Sequence, residues 1–142
     1  MPGIVVGVDG STGSHKALEW AAREAATRHA PLTVLTVHPI ADNYWTGSPI
    51  IPADRPQQDE LRQSAQYATD KVTGELGDQQ PASVTIQAVN GIVAEELLRA
   101  SRGAELLVVG SRGGGGFTAL RLGSVSAQVT EHTPCPVVVV PS

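Results

Sequence analysis

A single cysteine, Cys135, rules out an internal disulfide, and the expected setting is a reducing compartment, the cytoplasm. Five aromatic residues among 142 (Phe117, two Trp and two Tyr) are too few and too scattered to form a base-stacking platform. Basic charge is also short. Ten Lys and Arg against fourteen Asp and Glu leave a formal charge of −4, which argues against a binder of duplex nucleic acid. No uncharged apolar run approaches the roughly 18 residues of a membrane-spanning helix, so no membrane contact is expected. The opening MPGIVVGVDGS has no charged region followed by a long apolar core, so no signal peptide is read there. His15, His29, His38 and His132 show no metal-ligand spacing and read as surface or helix-end residues. No Ser-His-Asp or Cys-His arrangement has local support. Cys135, between two prolines beside an apolar run, fits a small buried hydrophobe better than a nucleophile.

What is present is a regular alternation. Apolar, β-branched runs at 3–9, 31–38, 83–89, 105–110 and 136–140 are apolar on both faces, as central strands of a parallel sheet are. Between them lie four helical patterns. Ala17, Leu18, Ala21, Ala22, Ala25 and Ala26 make one stripe of period 3.6 over 14–29, and Leu61, Ala65, Ala68, Val72 and Leu76 another over about 58–76. Residues 93–101 and 124–132 supply two shorter helices. The order β-α-β-α-β-α-β-α-β predicts an α/β fold with right-handed crossovers. A chain of this length suits one domain, 1–142, able to bury about 70% of its unfolded surface. Segment 39–57, with four prolines and with Tyr44, Trp45, Ile50 and Ile51, is long for a β–α connection; it is either a functional flap or an interaction loop, unless those residues fold back onto the body as ordinary cover.

Special residues gather where such sheets bind ligands, beyond the carboxyl ends of the strands. The first run ends in VDGSTGS (8–14), the second in VHP (37–39) and the fourth in GSRGGGG (110–116). Glycine lets backbone N–H groups approach a ligand, and residues 123–126 open a helix whose first N–H groups favour an anion. Arg112 and Arg121 are the only charges between Leu106 and Thr130, so the segment is locally basic. Together these features describe a phosphate cradle; a flexible loop before a capped helix is the alternative. No Gly-Lys pair exists, which excludes a P-loop. The first strand reads Gly7-x-x-Gly10-x-x-Gly13 rather than G-x-G-x-x-G, and the second ends at His38 rather than at an acid, which disfavours a nicotinamide enzyme. Asp9 either faces a ligand or caps the helix that begins near Ser11 or Ser14.

The spacing Gly110-x2-Gly113-x9-Gly123-Ser124 resembles the G-x2-G-x9-G-[ST] motif of the universal stress protein family, in its nucleotide-binding branch. The likeness extends over nearly the whole chain, through VVGVDGSTGSHKALEWAAREAA, PLTVLTVHP and the last third. It implies an open five-stranded parallel sheet of order 3-2-1-4-5 with four helices, a three-layer, Rossmann-like sandwich of the adenine nucleotide α-hydrolase kind. Asp9 would then sit by the ribose, and Val37 would meet the adenine edge through its backbone. Gly110 and Gly113 would approach the ribose and phosphates, Gly123, Ser124 and Val125 would hold the phosphates, and Mg²⁺ or Mn²⁺ would accompany them. Gly114 departs from the basic residue that many relatives carry there, leaving Arg112 or Arg121 to compensate.

The implied function is an ATP-binding stress-response sensor or regulator with at most slow ATP hydrolysis, since no good general base stands beside the phosphates. A dimeric interaction protein that does not depend on nucleotide is the alternative, and the intact glycines argue against it. An enzyme using DGSTGS as a pyrophosphate loop is disfavoured, because its acid precedes the glycine. PVVVV at 136–140 reads as an edge strand open to a second chain, and the resemblance implies a homodimer through it.

Overall fold

The computed structural model describes residues 3–39, 54–111 and 124–141. Nine elements alternate along them: β1 (Ile4–Val8), α1 (Thr12–Arg28), β2 (Pro31–Pro39), α2 (Asp54–Gly74), β3 (Ser83–Gly91), α3 (Val93–Ser101), β4 (Leu106–Gly110), α4 (Ser124–His132) and β5 (Val137–Val140). The five strands form one parallel sheet in the order β3-β2-β1-β4-β5, as the resemblance implied.

The continuous apolar runs have a direct cause. Ile4 and Val6, Leu32 and Val34, and Leu106 and Val108 point to one side of the sheet, into a core that includes Ala17, Ala21, Ala25, Ala65 and Val72 of α1 and α2. Val5, Leu35, Leu107 and Val109 point to the other, against Ala94 and Leu97 of α3 and Val129 of α4. Successive residues of a strand face opposite ways, so a strand covered on both sides must be apolar at every position. The result is three layers, two helices on each face. The alanine stripe of α1 is almost wholly excluded from water, and short side chains bring that helix close to the sheet.

The helix ends follow local chemistry. Ser11 caps α1 with its hydroxyl, which accepts from Ser14 N at 3.2 Å. His29 ends the helix in the left-handed region at φ 51°, where its N–H reaches Ala26 O and the N–H of Ala30 reaches Ala25 O. Helix α2 begins at Asp54, four residues before the apolar stripe suggested, so residues 54–57 of the expected loop are helical. Pro56 accounts for the difference: it reads as a breaker, yet in a first helical turn its missing N–H has no partner to lose. Tyr44, Trp45, Ile50 and Ile51 lie outside the described residues. Trp20 packs against the α1–α2 core.

Arg28 links layers at the surface, bonding Glu24 at 2.8 Å and Glu105 at 3.5 Å, and the Glu24 hydrogen bond raises its pKa. Its side chain is 42% exposed, so solvent screens the pair and little stability comes from it. Buried apolar contact dominates instead. Leu107→Ala, at a site with 0% exposure, should lower unfolding free energy by about 2–5 kcal/mol in urea titration. Arg28→Ala should change it by less than about 1 kcal/mol.

Candidate functional site

Strands β1 and β4 separate at their carboxyl ends. Their pairing runs from Ile4↔Leu106 to Val6↔Val108, while β1 continues beside β2 as far as Val8↔Thr36. Gly7 and Val8 on one strand and Val109 and Gly110 on the other therefore border an opening. This is where the strand order reverses, the position at which open α/β sheets bind ligands. A cavity of about 380 Å³ lies there, within the usual range of small-molecule sites. Thr36, Val37 and His38 of β2 bound it, since β2 runs on beyond the end of β1. Leu35, Leu61, Val93, Leu97, Val109 and Val125 give it apolar walls, and Asp9, Ser14 and Ser126 supply polar groups. A second cavity of about 450 Å³ opens between α1 and α2 and shares Val8, Asp9, Ser14, Thr36 and Leu61 with the first.

The DGSTGS turn is held by its own side chains. Asp9 Oδ1 accepts from Ser11 N at 2.9 Å, and Asp9 N donates to Ser14 Oγ at 3.1 Å. Ser14 Oγ in turn donates to Ser11 O at 3.1 Å, and Ser14 N donates to Ser11 Oγ. Gly10, at φ +84°, makes the bend that closes this circuit. The N–H groups of Ser11 and Ser14 are thus used internally, which disfavours a pyrophosphate loop at 9–14 on physical grounds. Asp9 is not the helix cap, a role that Ser11 takes; its exposed carboxylate braces the turn from two residues upstream.

Gly110 has a structural duty that the sequence did not disclose. A Cβ there would meet Gly13 O at 3.0 Å and Gly13 C at 3.1 Å, so the start of α1 occupies the space that glycine frees. Its carbonyl accepts a hydrogen bond from Ser126 Oγ at 2.5 Å, which ties the first turn of α4 to the end of β4. Ser126 is 3% exposed, so this bond satisfies a buried hydroxyl. Intact glycine at 110 therefore has a reason independent of any ligand, and it weighs less against a nucleotide-free protein than its spacing implied.

Of the residues singled out by sequence, Asp9, Val37, Gly110 and Val125 all line the first cavity. Ser124 begins α4 beside it. Arg112, Gly113, Gly114, Arg121 and Gly123 lie outside the described residues. His38 departs from the surface or helix-end place expected of it: half-buried near the end of β2, it lines the cavity. Ser14, Leu61 and Leu97 carried no expectation of lining it, while Ser126, part of the expected helix start, lines the cavity as well. Leu61 and Leu97 carry an ordinary helical stripe, and nothing local marks which stripe residues reach a strand end. Cys135 is half-buried against the α3–α4 core, and its neighbour Thr133 Oγ1 donates to Cys135 O at 2.7 Å. No group of three potential metal ligands occurs among the described residues, nor any helix long and apolar enough to cross a membrane.

Comparison with known proteins bears on this arrangement. The sequence model of the Universal stress protein family matches residues 2–141. A universal stress protein of Mycobacterium tuberculosis is 36% identical over 141 residues, covering 97% of this chain and 47% of the relative. The chain spans about half the length of the curated relatives it matches. Among solved structures, the universal stress protein UspA from Lactobacillus plantarum superposes with a TM-score of 0.80 at 22% identity, covering 98% of this chain and 97% of that one. A universal stress protein solved in complex with cAMP superposes with a TM-score of 0.69 at 23% identity, covering 99% and 96%. At these identities the two structures speak to the fold.

The Gly110 contact is directly testable without ligand. Gly110→Ala should cost roughly 1–3 kcal/mol of unfolding free energy by denaturant titration, because backbone must yield to the new Cβ. Ser126→Ala should cost about 1 kcal/mol through loss of the hydrogen bond to Gly110 O.

Proposed function

Since the chain belongs to the universal stress protein family, we propose that its strand-end cavity binds an adenine nucleotide, ATP, in a stress-response regulator. The carrying observation is that Asp9, Val37, Gly110 and Val125 surround one cavity at the reversal point of the sheet. In this reading the adenine edge meets the backbone at Val37, where β2 extends past β1 and apolar walls favour a flat ring. The Asp9 carboxylate accepts a hydrogen bond from a ribose hydroxyl. The phosphates run towards the first turn of α4, where backbone N–H groups from Ser124 and Val125 and a favourable helix dipole await them. Arg112, Gly113 and Gly123 complete the phosphate end. The cAMP complex of a relative supports the chemical class, since cAMP shares adenine, ribose and phosphate with ATP.

Mg²⁺ or Mn²⁺ fits this site as a companion of the phosphates rather than as a resident ion. Asp9 is the only carboxylate lining the cavity among the described residues and it serves the ribose, so the ion would be held mainly by phosphate oxygens and waters. The ion neutralises phosphate charge; the chain orients the base and sugar. Asp9 and His38 are the titratable side chains of the described lining, and both stand at the base and ribose end. Neither is placed to activate a water at the terminal phosphate, so hydrolysis is slow at most. A sensing role follows from retention: a protein that holds ATP without consuming it reports nucleotide supply. We place it in the cytoplasm.

A second chain belongs to this reading. β5 closes one end of the sheet with four half-buried valines, and a copy of the chain pairs there to form a homodimer. The rival reading is a dimer that acts without nucleotide, and the ligand-independent role of Gly110 is the observation in its favour.

Mass spectrometry of nucleotide released from the natively purified protein should find ATP. Calorimetry with Mg-ATP should show saturable binding, weakened about tenfold, or ~1.4 kcal/mol, in Asp9→Ala. At 100 times Kd, ATP should stabilise the fold by about 2.7 kcal/mol. Absence of binding at millimolar Mg-ATP refutes the reading and leaves the nucleotide-free dimer.

A further inference from the structure

We propose that the cavity between α1 and α2 is a second subsite, which takes an uncharged, largely apolar group carried on the ribose of the nucleotide, with Thr36 Oγ1 hydrogen-bonded to that group. The proposal rests on adenine nucleotide binding in the first cavity and specifies what else the ligand carries.

Thr36 is the residue that points to a ligand. The buried polar side chains among the described residues are Ser14, Thr36, Thr69, Ser101 and Ser126. All but one have an acceptor. Ser14 Oγ donates to Ser11 O, Thr69 Oγ1 to Ala65 O, Ser101 Oγ to Leu98 O and Ser126 Oγ to Gly110 O. Thr36 Oγ1, on a residue only 3% exposed, forms no hydrogen bond among the described residues. A buried hydroxyl left without a partner costs about 1–3 kcal/mol, so folded proteins rarely keep one without a use. Thr36 lies on the face of β2 that carries Leu32 and Val34, the face covered by α1 and α2. It lines both cavities and so stands where they meet.

Asp9 stands at the same junction. With the base at Val37 and the phosphates directed to α4, both within the first cavity, the ribose beside Asp9 occupies the passage to the second. A substituent on a ribose oxygen then enters a space of about 450 Å³, room for a small aromatic or branched acyl group. Beyond the junction, Leu18, Ala65 and Ala68 form apolar walls, and the short alanine side chains leave a flat surface on α2. Ser64 and His15 bound the same space, with His15 Nε2 3.2 Å from Glu19 Oε1. No Lys or Arg lines it among the described residues, and the Asp9 carboxylate repels an added phosphate there. An ester or amide carbonyl on the ribose accepts from Thr36 Oγ1, and its apolar remainder covers Leu18, Ala65 and Ala68.

ATP carrying an N-methylanthraniloyl ester on its ribose, titrated with Mg²⁺ beside plain Mg-ATP, tests this. Wild type should bind the ester at least as tightly as ATP, with a rise in anthraniloyl fluorescence as the group leaves water. Ser64→Trp and Ala68→Leu fill the second cavity without touching the first, and Ser64 is exposed, so the fold survives its replacement. Both variants should weaken the ester about tenfold while holding Mg-ATP affinity within about twofold. Thr36→Val should weaken the ester too, yet should not lower the urea midpoint of the ligand-free protein, since no bond within the fold is lost. Weaker binding of the ester than of ATP in wild type, equal binding of the ester by wild type and the filled variants, or a lowered midpoint in Thr36→Val overturns the proposal and leaves ATP binding standing. Absence of Mg-ATP binding in wild type refutes the nucleotide reading and this subsite with it.

Discussion

The seam between β1 and β4 is where this chain joins its halves and where it leaves them apart. Three register pairs, Ile4↔Leu106, Val5↔Leu107 and Val6↔Val108, hold it together, and each contributes to one of the two cores. β1 leads outward to β2 and β3, and β4 leads outward to β5, so the sheet reverses its order at this line. Pairing then stops while both strands run on. The cavity exists because the strands diverge there and the helices that follow them, α1 and α4, pack on opposite faces. An apolar seam that continued to the strand ends would leave no opening.

Around that opening the two helix starts are treated differently. The start of α1 is closed on itself through Asp9, Ser11 and Ser14, and is pressed against Gly110. The first turn of α4 is anchored from its buried side by Ser126 to the carbonyl of the same glycine. Gly110 is thus a pivot: its missing side chain admits α1, and its carbonyl holds α4. One residue positions two of the helices that border the cavity. A ligand-centred reading of the glycines alone misses this mechanical role. Asp9 combines roles too, bracing the turn while it lines both cavities.

The two ends of the sheet contrast in the same physical terms. β5 is short and bounded by prolines, so pairing there is limited in length. β3 is long, unbroken and without charge. A parallel sheet of this order necessarily has two edges, and how each is covered determines how the domain meets others.

Periodicity made the layers legible. Strands apolar at every position and the alanine stripe of α1 can be satisfied only by a sheet covered on both faces, and the glycine spacing singled out one end of it. Boundaries were less legible where a residue has two meanings, as Pro56 does, breaking a helix interior but suiting a first turn. Asp9, Val37, Gly110 and Val125 could be picked out because strand ends and helix starts have local signatures. Ser14, His38 and Leu61 could not, because nothing nearby in the chain records that they meet. The sequence by itself determined which residues must be buried, the order of the elements and the region of the special backbone. Only the tertiary structure decided that the space freed at Gly110 belongs to α1, and that His38 turns to the cavity rather than to solvent. Both depend on approaches between segments about a hundred residues or a whole layer apart, and hydrophobic periodicity encodes faces rather than distances.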